Sequence, residues 1–88
     1  MMNRYLIELL GTTLFSFSIF ATGNYLIIGA TLAIIILLSR GVGAFNPAIT
    51  IALFYAKKLS VNDLIPSIIA QIIGGLVGFE IANRFFKD

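Results

Sequence analysis

Gly41-Val42-Gly43-Ala44-Phe45-Asn46-Pro47-Ala48-Ile49-Thr50-Ile51-Ala52-Leu53-Phe54-Tyr55-Ala56 is the stretch whose reading decides the fold of this 88-residue chain. Its first residues are too rich in glycine for a helix interior. Asn46 is a strong helix N-cap, and Pro47 suits the first helical position, where the missing N–H is no loss. From Ala48 to Ala56 the chain is apolar. A helix of roughly 10 residues covers about 15 Å, half of a bilayer core. Lys57 and Lys58 then return the chain to water, where cations suit a helix C-terminus. The pattern reads as a re-entrant segment over 41–56: a loop into the membrane and a half-helix out. A helix lying in the interface would need a polar face, and none is present.

On both sides of this stretch the chain is apolar. The first span runs over about 5–21 and is broken by Thr22-Gly23-Asn24, a turn signal. The second covers about 25–39. It is short against the about 20 residues a span usually needs, and tilt or local thinning accommodates it. The third covers about 64–84. Ser60 and Asp63 before it fit a capping box, and Pro66 is expected in its first turn.

Composition agrees. The chain is 59% hydrophobic and 11% charged, with a mean hydropathy of +1.02. A soluble domain of this size needs more charge and buries apolar surface poorly. The length fits a single transmembrane domain, residues 1–88, with no linker or internal repeat. The first 23 residues carry elements of a signal peptide, but Glu8 interrupts what would be its apolar core. The chain has no cysteine and no histidine, so disulfides and His-type metal sites are excluded, and no cofactor is implied. The basic residues are dispersed as membrane flanks, which argues against nucleic acid as a partner. The expectation is an all-α, multi-pass integral membrane protein with three spans and one re-entrant half-helix.

Asn46-Pro47-Ala48 at a half-helix tip carries chemistry. A loop at membrane depth is tolerated only where it is buried in protein or lines a watery cavity. The carbonyls from Gly41 to Phe45, Gly43 and Ala44 among them, are then acceptors for a passing solute. The Asn46 side-chain oxygen caps the helix, and its NH₂ group is left to donate to a water or hydroxyl. The positive helix end disfavours cations. Ala48 is small enough to let the tip approach a neighbour.

Glu8 lies inside the first span, where an ionisable residue is a functional candidate. Glu8, Thr12 and Ser16 recur every four residues on one face, which is expected to meet protein or pore. Ala70, Gly74, Gly78 and Ala82 form a ladder of small residues for close helix packing. Gln71, polar at mid-span, is expected to bond the re-entrant loop. Arg40 either lines a vestibule or snorkels to the headgroups.

Three segments together resemble the major intrinsic protein family, the aquaporins and aquaglyceroporins. Glu8-Leu9-Leu10-Gly11-Thr12 resembles the family's first-helix motif. Gly43-Ala44-Phe45-Asn46-Pro47-Ala48-Ile49-Thr50 resembles its first re-entrant loop. Pro66 to Gly75, with Ala70-Gln71, resembles its third helix. The resemblance covers nearly the whole chain and is to the N-terminal half of such a protein. It implies that Glu8 supports the loop by bonding its backbone. It also implies a passive channel for water or small neutral solutes. The family has six spans and two loops, whereas this chain has three and one. Where the family's second loop carries Arg after Asn-Pro-Ala, this chain has Ile49, so its filter position is left open.

Family members pair two halves in inverted orientation. The simplest completion is an antiparallel homodimer, or higher oligomers of such dimers; a complementary half-channel is the other. Arg4, Arg40, Lys57 and Lys58 stand on one side and Arg84 and Lys87 on the other, a bias of four to two. Two rivals remain on the sequence: a small dual-topology proton-coupled exporter using Glu8, and a non-conducting subunit that modulates a full-length channel.

Overall fold

The computed structural model describes residues 3–86. Four helices follow in order: α1 (Arg4–Thr22), α2 (Tyr25–Leu38), α3 (Pro47–Tyr55) and α4 (Val61–Phe85). No strand occurs among the described residues. Lys87, counted above as a flank, lies outside them. Only α1 and α4 are both long and apolar enough to cross a membrane by length and composition. At 1.5 Å per residue, the 14 residues of α2 reach about 21 Å and the nine of α3 about 14 Å.

Each helix start is set by a side chain. Asn3, Asn24, Asn46 and Ser60 accept hydrogen bonds from amides in the first turn of α1, α2, α3 and α4. The ends of α2 and α3 share one device. The Gly41 and Arg40 amides turn back to the Ile36 and Leu37 carbonyls, and the Lys58 and Lys57 amides to those of Leu53 and Phe54. These are Schellman motifs. Arg40 (φ 56°) and Lys57 (φ 63°) hold the left-handed position where glycine is usual. Each helix therefore stops at a cation, which favours the negative helix end.

Three expectations are corrected. Helix α4 begins at Val61, three residues before the expected span, because Ser60 caps it. Pro66 therefore lies in the second turn, where its missing N–H removes the bond to the Asn62 carbonyl. Only half of the capping box forms. Ser60 Oγ accepts from the Asp63 amide at 3.3 Å, but the Asp63 carboxylate turns away to the Tyr5 hydroxyl at 2.5 Å and lies 4.0 Å from Arg4 Nε.

Helices α1 and α4 run parallel and form the core. The seam on α4 is Ser67, Gln71, Gly74, Gly78 and Ala82, all buried. The expected ladder is thus shifted at its N-terminal end: Ala70 is half-buried, and Gln71 and Ser67 continue the seam. A β-carbon at Gly74 would stand 2.7 Å from the Leu9 carbonyl oxygen, and one at Gly78 would strike the Thr13 carbonyl. Glycine at these positions lets the two backbones meet. Glu8, Gly11, Thr12, Ser16 and Ser18 are the buried residues of α1. Phe17 and Phe20 close the far end edge-to-face on Phe86 and Phe79.

The packing order is α2 on α1, α1 on α4, α4 on α3. Among the described residues α2 touches neither α3 nor α4, and α3 does not touch α1. The molecule is an open arc, with α2 and α3 as its ends.

Candidate functional site

The loop from Ser39 to Asn46 is built almost entirely from backbone. Ser39 folds it back: its hydroxyl donates to the Ile36 carbonyl and accepts from the Gly43 amide, and its carbonyl accepts from the Val42 amide. Arg4 Nη1 reaches across from α1 to the Val42 carbonyl at 3.0 Å. That carbonyl was expected to be open to solute and is taken. Those of Gly41, Gly43, Ala44 and Phe45 receive no hydrogen bond among the described residues.

Glu8 holds the far end of the loop. Its carboxylate is fully buried. Oε2 accepts from the Ala44 amide at 3.0 Å and Oε1 from the Phe45 amide at 2.8 Å. Two charge-assisted bonds of this kind are the strong form of backbone anchoring. They hold Phe45 at φ 58°, a conformation costly for a bulky residue.

The Phe45 ring is turned inward. It is 3% exposed and fills the places where side chains at Gly11 and Gly43 would stand. Its carbonyl receives no hydrogen bond among the described residues. In the sequence Gly11 stands out only as part of the Glu8–Thr12 motif. The signal for its role was its place three residues after Glu8, on the same helix face.

Asn46 follows, exposed, with its side-chain oxygen 2.8 Å from the Ala48 amide. Pro47 opens α3 and is half-buried, and Ala48 is exposed. Ile49 is 50% exposed at the same tip. Thr50 points inward, fully buried, and donates to the Asn46 carbonyl at 3.0 Å. Gln71 Nε2 donates to Thr50 Oγ1 at 2.6 Å. Gln71 thus bonds the re-entrant segment at its helical part, through Thr50, one turn into α3. Thr50 was not singled out from the sequence. Its signal was a hydroxyl four residues after the cap, on an otherwise apolar helix.

The structure thus joins Glu8, the loop, Asn46, Thr50 and Gln71 into one unit. Arg40 sits apart, at the mouth of an apolar groove of about 400 Å³ between α1, the end of α2 and the Phe45 ring. Asn46 does not line that groove.

The chain is similar to several known proteins. Glycerol uptake facilitator protein-like 6 of Lactiplantibacillus plantarum is 36% identical over 95 aligned positions, which cover 96% of this chain and 44% of that protein. The chain is a relative of the major intrinsic proteins. Probable aquaporins PIP2-7 and PIP2-6 of Oryza sativa subsp. japonica are 34% and 36% identical over 61 positions, 67% of this chain and 21% and 22% of theirs. The chain spans less than half the length of the curated relatives it matches. No protein-family model and no solved structure matches it. With relatives in this channel family and two membrane-capable helices, it is an integral membrane protein.

Proposed function

We propose that this chain is half of a passive channel for water or small neutral solutes, completed by an inverted partner. In this reading α1, α2 and α4 cross the bilayer, and the loop with α3 re-enters it. The supporting observation is the open arc with Asn46 at its tip. Asn46 is exposed at the start of a nine-residue apolar helix that, among the described residues, packs on α4 alone. A backbone loop at membrane depth needs a protein or water lining. An antiparallel second copy supplies that lining by closing the gap between α2 and α3.

In the closed assembly the two α3 N-termini meet from opposite sides near the midplane. Each end carries about half a positive charge, which raises a barrier to cations and protons. Each Asn46 spends its oxygen on the cap and offers its NH₂ group to a solute oxygen. The free carbonyls of Gly43, Ala44 and Phe45 accept on the approach. A solute that both donates and accepts therefore crosses, and an ion does not. Solute movement follows its gradient, with no covalent step.

The names of the relatives fit this reading: one is called a glycerol uptake facilitator-like protein and two are called probable aquaporins. The Arg4, Arg40, Lys57 and Lys58 side of the chain outweighs the Arg84 and Lys87 side. That bias favours one orientation and makes a complementary half-channel the second candidate partner.

The test is osmotic swelling of vesicles holding only this chain, with water and a panel of small polyols. Swelling above empty vesicles is expected, together with cysteine labels at the N-terminus accessible from both sides. Labels on one side only, with swelling intact, overturn the antiparallel homodimer. No swelling for any solute overturns the homomeric channel; swelling that appears only on adding a second half-channel assigns the complementary partner.

A further inference from the structure

The α1–α4 seam contains three buried polar atoms with no hydrogen-bond partner among the described residues: Thr12 Oγ1, Ser67 Oγ and Gln71 Oε1. Each parent side chain is at least nine-tenths buried. Helix register puts them on one seam. The two helices run parallel, with the Tyr5 hydroxyl on Asp63 and the Ser16 hydroxyl on the Gly75 carbonyl at 2.6 Å. The Thr12 β-carbon lies 3.1 Å from where a side chain at Gly74 would begin. Gln71 is one turn before Gly74, and Ser67 one turn before Gln71, on the same buried face.

The Gln71 amide orientation is fixed by chemistry. Thr50 Oγ1 gives its proton to the Asn46 carbonyl, so toward Gln71 it only accepts. Nε2 must therefore face Thr50, and Oε1 turns away from it, needing a donor. The hydroxyls of Thr12 and Ser67 also lack partners. Buried polar groups in native proteins are satisfied, and lipid offers no alternative. Water bonds two to four such groups, and water molecules along the seam suit one bare acceptor flanked by two bare hydroxyls.

We propose that the α1–α4 seam binds resident water molecules, which donate to Gln71 Oε1 and bond the Thr12 and Ser67 hydroxyls on either side of it. These waters lock the Gln71 amide and, through Thr50, the Asn46 tip. Glu8 holds the loop from one side, and the hydrated layer holds the half-helix from the other. The site lies behind the tip and does not depend on conduction.

The experiment uses the full chain in lipid bilayers. Solid-state NMR with polarisation started on water detects transfer to the Gln71 side-chain amide and to Thr12. A strong water contact at both is expected, and that at the Gln71 amide is lost in the double variant Thr12→Val/Ser67→Ala. Thermal unfolding of Ser67→Ala gives the second reading. A water-bonded hydroxyl is stabilising, so its removal lowers Tm; a dry orphan is destabilising, so its removal raises Tm. A raised Tm overturns the proposal. Absence of water transfer with a lowered Tm overturns it too, since Ser67 then bonds Gln71 directly. The readout is independent of swelling, so failure here leaves the channel reading untouched.

Discussion

Glu8 and Phe45 are 37 residues apart in the chain, yet Glu8 Oε1 accepts the Phe45 amide at 2.8 Å inside the protein. The neighbouring Ala44 amide meets the other carboxylate oxygen. An ionised carboxylate is acceptor-only on both oxygens. Glutamine at position 8 presents one oxygen and one NH₂, and the NH₂ opposes an amide N–H. Glu8→Gln should therefore destabilise the protein by about 2–3 kcal/mol, read as a lower unfolding midpoint in detergent. Folded Glu8→Gln should still swell vesicles and show no altered dependence on a proton gradient. Gradient-driven transport in the parent that vanishes in this variant supports the exporter instead.

Gly11 tests the other contact of Phe45. A methyl group at Gly11 would stand inside the Phe45 ring. The ring is walled in by Gly43 as well, so it has little room to yield. Gly11→Ala should cost about 1–3 kcal/mol, the usual range for overpacking. The double variant Gly11→Ala/Phe45→Leu should recover part of that loss by vacating space. Equal stability of the single and double variants would show that the ring moves aside freely.

The α1–α4 seam gives a sharper steric limit. A side chain at Gly78 meets the Thr13 carbonyl, which is backbone and does not rotate away. Gly78→Val should separate the helices and abolish a monodisperse folded species in size-exclusion chromatography. Gly75 is the internal control, since a β-carbon there meets nothing within 4 Å. Gly75→Ala should raise stability by a few tenths of a kcal/mol through helix propensity. Similar behaviour of both variants would contradict the packing.

These contacts show what was legible in sequence. The four helices could be read because caps and breakers are local: Asn24, Asn46 and Ser60 act within one turn of themselves. Gly74 and Gly78 could be read because small residues at helical spacing imply a close partner. Other features were set by distant groups. Pro66 falls in the second turn because Ser60 sets the start of α4. Asp63 abandons the capping box because Tyr5 and Arg4, 58 and 59 residues earlier, compete for its carboxylate. Gln71 meets the re-entrant segment at Thr50, a partner chosen by the packing of α3 on α4. Phe45 shows the same limit most plainly. The sequence offered its carbonyl as an acceptor and assigned no place to its ring, whose burial depends on the absence of a side chain at Gly11, on α1.

Asn46 separates helix capping from solute contact. Its oxygen caps α3 through the Ala48 amide, and its NH₂ group has no such local duty. Asn46→Ala removes both and should cost about 1 kcal/mol in stability. Asn46→Ser keeps a capping oxygen and loses the amide donors, so its stability should stay close to the parent. If the NH₂ group meets the solute, vesicle swelling by the Ser variant changes in rate or in preference among polyols despite an unchanged melting curve. If Asn46 is only a cap, swelling follows stability: reduced folded protein for Ala, and parental rates per folded molecule for both. Rates normalised to folded protein decide between the two. A parental Ser variant removes Asn46 from the conduction path and leaves the loop carbonyls as the polar lining.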